Sequence, residues 1–156
     1  MATRDLHSHI KAVQHLAAAA YTTTQTPSSG VDLRGFDSAE FLIGIGAVTS
    51  ISGSPQSTWT FKLQDSDSES SNFSDVTDSS IVLVGSAKSP VAAPNSSTGV
   101  FLTIDADTED LNTYRVGYVG SKRYVRCVAT AANSPGSTPL YVVALLGHAA
   151  LAPTAD

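Results

Sequence analysis

Cysteine is almost missing from this chain: Cys127 stands alone, which excludes an intramolecular disulfide and any zinc site built on cysteine. Charge is scarce too, at 15% against the quarter or so usual for soluble domains. Only nine residues are Lys or Arg and they are scattered. With a formal charge of -5, the chain lacks the clustered cations that phosphate binding requires, so nucleic acid is not an expected partner. Long apolar runs are absent as well. The richest near the front, Ala12 to Ala20, is interrupted by Gln14 and His15 and falls far short of the roughly 20 residues a membrane helix needs. No signal peptide and no membrane span are expected.

Ser and Thr together supply about a quarter of the residues, so the surface is hydroxyl-rich rather than ionic. At 156 residues the chain is one domain's worth, able to bury about two-thirds of its unfolded surface and fold without staples.

The periodicity is that of strands. In Asn112 to Thr130, Tyr114, Val116 and Tyr118 alternate with Thr113, Arg115 and Gly117 up to Gly120-Ser121. Tyr124, Val125, Cys127 and Val128 then resume the β-branched and aromatic pattern. This predicts a β-hairpin with Gly120 in a positive-φ turn and Ser121, Lys122 and Arg123 keeping the tip polar. Phe41, Ile43 and Ile45 share one face of a strand within Ser38 to Ile51, while Gly44 on the other face admits a close neighbour. Trp59, Phe61 and Leu63 alternate with Thr60, Lys62 and Gln64 in the cleanest in-and-out strand. Shorter strands are predicted at Ile81 to Val84 and Gly99 to Ile104, with a long surface loop from Gly85 to Gly99 between them. Leu140 to Leu146 is a continuous apolar run, either a strand covered on both sides or one entering a subunit interface.

About seven short strands and no βαβ alternation predict a mainly β fold: a β-sandwich or jelly-roll-like body, or else a small β-barrel or β-tulip. Ahead of that body, residues 1–29 are expected to be an arm, with residues 30–156 forming the sandwich. Leu6, Ile10, Val13 and Leu16 recur at helical spacing behind Asp5, so residues 5–20 read as an amphipathic helix or an extended arm. A Thr, Ser, Pro and Gly connector follows up to Gly30 and gives reach of about 3.3 Å per residue. Leu6, Ile10, Val13 and Leu16 are therefore the candidate contacts to a neighbouring subunit or another protein.

Chemistry-bearing patterns are few. His7, His9 and His15 do not fall on one helical face and no carboxylate cluster accompanies them, so they read as solvated histidines rather than a metal site. Asp65 to Asp75 begins like a calcium loop but has Ser70 where the sharp turn needs Gly. It and the acidic turn Asp105 to Asp110 read as solvated loops, with a cation site as the other reading. There is no Gly-x-Ser-x-Gly elbow, no His-Glu-x-x-His and no Gly-rich phosphate loop, and His148 stands by itself beside an apolar run. Cys127 reads as a small buried hydrophobe. No catalytic residue, metal or cofactor is expected.

Three stretches carry a family resemblance: Gly30-Val-Asp-Leu-Arg-Gly-Phe-Asp-Ser-Ala-Glu-Phe-Leu-Ile-Gly-Ile-Gly, Trp59-Thr-Phe-Lys-Leu-Gln-Asp-Ser-Asp and Tyr114-Arg-Val-Gly-Tyr-Val-Gly-Ser-Lys-Arg-Tyr-Val-Arg. Together they resemble the capsid decoration, or cement, proteins of tailed phages and prophages, over roughly Asp5 to Leu151. The resemblance implies a structural virion protein on the outer surface of the capsid, made in the bacterial host cytoplasm, with the major capsid protein as partner. A homodimer or homotrimer is expected from the apolar run and the symmetry of such shells. A carbohydrate- or receptor-binding β-module of a fibre or spike is the alternative, and a hydrolase with an irregular site the third reading.

Overall fold

The computed structural model describes residues 6–85, 90–151 and 154, and the expected loop Gly85 to Gly99 lies partly outside them. Ten strands build two antiparallel sheets stacked as an open β-sandwich. Five strands form sheet A: β1 (Lys11–Tyr21), β3 (Phe36–Ile45), β6 (Val82–Leu83), β8 (Asn112–Tyr118) and β10 (Thr138–Ala149), in the order β1-β10-β3-β8-β6. Sheet B runs β2 (Val31–Asp32), β9 (Tyr124–Ala132), β4 (Thr58–Ser66), β5 (Ser74–Asp75), and β7 (Val100–Ile104) also pairs with β4. Among the described residues, two single 3₁₀ turns, His7–His9 and Asp107–Glu109, complete the regular structure, and no helix is long and apolar enough to cross a membrane.

The core follows from the alternation. Phe41, Ile43 and Ile45 of β3, Leu140, Val142, Ala144 and Leu146 of β10, and Tyr114, Val116 and Tyr118 of β8 point inward from sheet A. Trp59, Phe61 and Leu63 of β4 with Val125, Cys127 and Ala129 of β9 meet them from sheet B. All are buried. Trp59 brings its polar Nε1–H into this core and donates it to Thr138 Oγ1 at 3.0 Å, so the ring's burial leaves no orphaned donor. The apolar run at 140–146 is explained by position, because β10 lies between β1 and β3 and is bonded along both edges.

The hairpin expected at Asn112 to Thr130 does not form. Its two strands exist with nearly the predicted limits, but β8 pairs with β3 in sheet A and β9 with β4 in sheet B. The link between them steps across the sandwich. A two-residue hairpin joins strands about 4.8 Å apart, whereas packed sheets are separated by about 10 Å, and Val119–Arg123 is long enough for the wider step. Gly120 is not in a positive-φ conformation. It is needed because the Tyr118 ring lies over it, where any Cβ would collide with the Tyr118 hydroxyl. That hydroxyl donates to Asp65 on β4 at 2.7 Å and accepts from the Lys122 amide, so one tyrosine ties the crossing to both sheets. Crossing is the rule in this chain: of all consecutive strands, only β4 and β5 pair with each other.

The front of the chain also differs from expectation. Residues 11–21 are a strand, not a helix or free arm, and they extend sheet A along β10 from Lys11↔Leu146 to Tyr21↔Thr138. The body is therefore not complete from Val31 onward. Between Gln14 and Leu16 the register shifts by a β-bulge, which turns both His15 and Leu16 toward the interior. Leu16 joins the core and Val13 packs against it. The helical spacing of the apolar residues was produced by a bulged strand, whose inward residues no longer fall at every second position.

Candidate functional site

The two sheets treat their outer faces differently. On sheet B the outward residues of β4 are Thr60, Lys62 and Gln64, and the last two are tied to their neighbours. Asp75 accepts from Lys62 Nζ at 2.8 Å and from Gln64 Nε2 at 2.7 Å, while Gln64 Oε1 accepts from Arg126 Nε at 2.8 Å. Partial burial works to raise the Asp75 carboxyl, but the bonds from Lys62 and Gln64 outweigh it and hold it below its usual range. Arg126 stacks over Phe73, 4.0 Å from the ring centre.

On sheet A the outward positions between the core residues of β10 and β3 are Tyr141, Val143, Leu145, Leu42 and Gly44, an apolar strip. Val143 faces Leu42 in register, and Tyr141 lays its ring on Gly44, where a Cβ would collide with it. A shallow recess lies at each end of this strip. One, of about 600 Å³, is bounded by Ala18–Ala20, Gly44, Leu111 and Tyr141. The other, of about 440 Å³, is bounded by Leu6, Ile10, Glu40, Leu83, Val119 and Leu145.

The large exposed hydrophobics gather here. Among the described residues, Leu6, Leu83, Leu111, Val119 and Tyr141 all line one recess or the other, and only Leu151 of that exposed set lies elsewhere. Exposed apolar area gathered in this way is uncommon on a surface otherwise left to water. Among the described residues, charge on this face is limited to Glu40 and Arg115, 3.6 Å apart. Partial burial raises the Glu40 carboxyl above its ordinary range, and Arg115, with 78% of its side chain exposed, offsets only part of that.

Of the four predicted contact residues, the structure brings Leu6 and Ile10 to this face and sends Val13 and Leu16 into the chain's own core. Tyr141, Val143 and Leu145 lie in the run read either as a strand covered on both sides or as one entering a subunit interface, whereas Leu83, Leu111 and Val119 carried no signal because they stand singly beside turns. The one usable signal was Leu140 to Leu146, whose second face had no counterpart segment left to cover it.

The other candidates find internal roles. His15 is not solvated: its Nε2 accepts the Cys127 amide at 3.0 Å and its ring meets Phe41 edge-on at 5.8 Å. Burial lowers its pKa from 6.5 to about 4, so the imidazole is a neutral acceptor that fills an open place on the β9 edge. His148, in a positive-φ conformation, shares a hydrogen bond with Ser38 Oγ at 2.9 Å. Burial pushes the Cys127 thiol up to about 12, far from the thiolate that reactivity requires.

Several carboxylates of the acidic loops are held by protein groups. Asp67 pairs with Lys122, Glu109 accepts the amides of Asp105 and Ala106, and Asp110 accepts the amide of Val48. Among the described residues no three His, Cys, Asp or Glu side chains converge as metal ligands. Comparison with protein-family models, with curated proteins and with solved structures finds no match to this chain.

Proposed function

We propose that this chain is a capsid decoration protein that docks on the major capsid protein of a tailed-phage head and stabilises the shell. The observation that carries this reading is the apolar outer face of sheet A, a surface suited to another protein and to no evident chemistry. The resemblance of the Gly30, Trp59 and Tyr114 stretches to cement proteins supplies the class of partner. Those stretches form β2, β3, β4, β8 and β9, the frame of both sheets. A carbohydrate-binding module would offer exposed aromatics, whereas Trp59, Phe41, Phe61, Phe101 and Tyr118 are buried here, and this favours the decoration reading.

The test is composition of the particle. Purified virions analysed by quantitative mass spectrometry are expected to contain this chain at a copy number comparable to the shell subunit. Its absence from particles overturns the proposal.

A further inference from the structure

We infer that the outer face of sheet A is the interface between two copies of this chain, packed sheet against sheet about a two-fold axis. This rests on the reading of that face as a protein-docking surface and gives it to a second copy, so that the pair meets the shell through its remaining surface.

Association along the long edge of sheet A is hindered. β1, the long edge of sheet A, carries register shifts at Gln14/Leu16 and Leu16/Ala19. At one end the Tyr21 hydroxyl caps the Ala17 carbonyl at 2.8 Å, and at the other Thr154 bonds to the carbonyls of Ser8 and Ile10. The opposite edge strand, β6, has two residues, as do β2 and β5 in sheet B. Short, bulged and capped edges do not template further strands. The face is what remains open.

Its size suits a second copy. Four long strands spaced about 4.8 Å apart and roughly 34 Å long make a footprint of roughly 650 Å², near the about 800 Å² per partner of a stable complex.

Its charges are self-complementary. In register, Phe41 lies opposite Val116, Glu40 opposite Gly117 and Leu42 opposite Arg115. A two-fold axis lying in the interface and crossing the strands at the Phe41–Val116 pair carries Arg115 of each copy over Gly117 of the other. Gly117 adds no side chain of its own, and the Glu40 carboxylate, on the neighbouring strand, and the Leu83 side chain lie over it. Two ion pairs then form between copies, each satisfying the exposed Arg115 and a Glu40 whose carboxyl burial already disfavours. The same rotation places the Leu83 and Val119 end of one copy over the Leu111 and Tyr141 end of the other. Elsewhere the chain's net charge of -5 makes copies repel, so this neutral face is the place where like chains meet most easily.

Light scattering on the purified chain at about 50 µM is expected to give a dimer. Arg115→Glu sets four carboxylates together and is expected to weaken dimerisation at least about 10-fold, while Glu40→Arg with Arg115→Glu restores it to within about 3-fold. Val143→Glu, at the centre of the strip, is expected to give a monomer with a cooperative melt. A wild-type monomer at about 100 µM, or an Arg115→Glu variant that dimerises unchanged, or a charge-swapped variant that melts normally yet stays monomeric, overturns the inference. Loss of shell binding in Val143→Glu from a wild-type protein that is monomeric gives the face to the shell: the inference fails and the decoration reading survives. A dimer of this kind in a chain absent from virions does the reverse.

Discussion

Sheets A and B share a core and an alternating pattern, yet their outer faces are finished in opposite ways. On sheet B the outward charged groups of β4, β5 and β9 have partners on the same face, in the Lys62, Asp75, Gln64 and Arg126 chain of bonds. Water can cover that surface without loss. On sheet A the equivalent positions are Leu42, Val143, Leu145 and Tyr141, with one loose ion pair between Glu40 and Arg115. Period-two alternation decides which residues are core; the identity of the alternate residues decides whether the second face meets water or protein.

The contrast breaks most severely at the shared core, where the two faces no longer matter. Leu16→Ala removes a buried side chain from the strand that seals the edge of sheet A and should cost about 2–4 kcal/mol in chemical denaturation. Leu6→Ala, ten residues earlier on the exposed recess, should change stability by less than about 0.5 kcal/mol. Equal effects at the two positions would contradict the placement of β1 inside the fold.

Acid should weaken the seam between the sheets next. His15 has a folded pKa of about 4 against an ordinary 6.5, so between these values the unfolded chain binds a proton that the folded one refuses. Its stabilising contribution is full above pH 6.5 and is lost as pH falls through 4, in total on the order of 3 kcal/mol. Denaturation midpoints measured from pH 7.5 to 4 should fall for the wild type. His15→Gln, which keeps an acceptor and cannot titrate, should flatten that fall even if it is less stable at pH 7.5.

The outer faces themselves should respond least in stability and most in stickiness. Replacing Leu42 and Val143 with Thr makes sheet A resemble sheet B and should alter the melting free energy by about 1 kcal/mol or less, while retention on a hydrophobic-interaction column drops. Lys62→Ala on sheet B breaks a partly exposed pair and should cost under about 1 kcal/mol with no change in retention. Similar retention shifts for both variants would erase the distinction between the faces.

Much of this architecture was legible in local pattern. Trp59, Phe61 and Leu63 alternate without interruption, and β4 was read correctly as a half-buried strand; Phe41, Ile43, Ile45 and Gly44 announced both the inward face of β3 and the close approach on its outer side. Pairing was not legible. Whether Tyr118 and Tyr124 lie on bonded neighbours or on opposing sheets depends on the Tyr118 hydroxyl reaching Asp65, more than fifty residues away in the chain. The bulge at His15 hid β1 in the same way, since a single extra residue shifts the apolar spacing toward that of a helix. At the candidate site, Leu6 and Ile10 were visible as unpartnered apolar residues, but the strip they border comes from strands far apart in sequence.

The order of strands in sheet A bears on how the protein comes to be folded at all. β10 lies between β1 and β3, so the front of the chain has no bonding partner until the ribosome has released residues 138–149. β4 and β9 of sheet B are available earlier, and β3 finds β8. A nascent chain therefore carries a finished polar sheet and an unfinished apolar one, a long-range topology of the kind that folds slowly and exposes sticky intermediates. Pulse-labelled hydrogen exchange during refolding should protect the Phe61 and Val128 amides before those of Val13 and Val142. Of the ten strands described, the one made last closes sheet A.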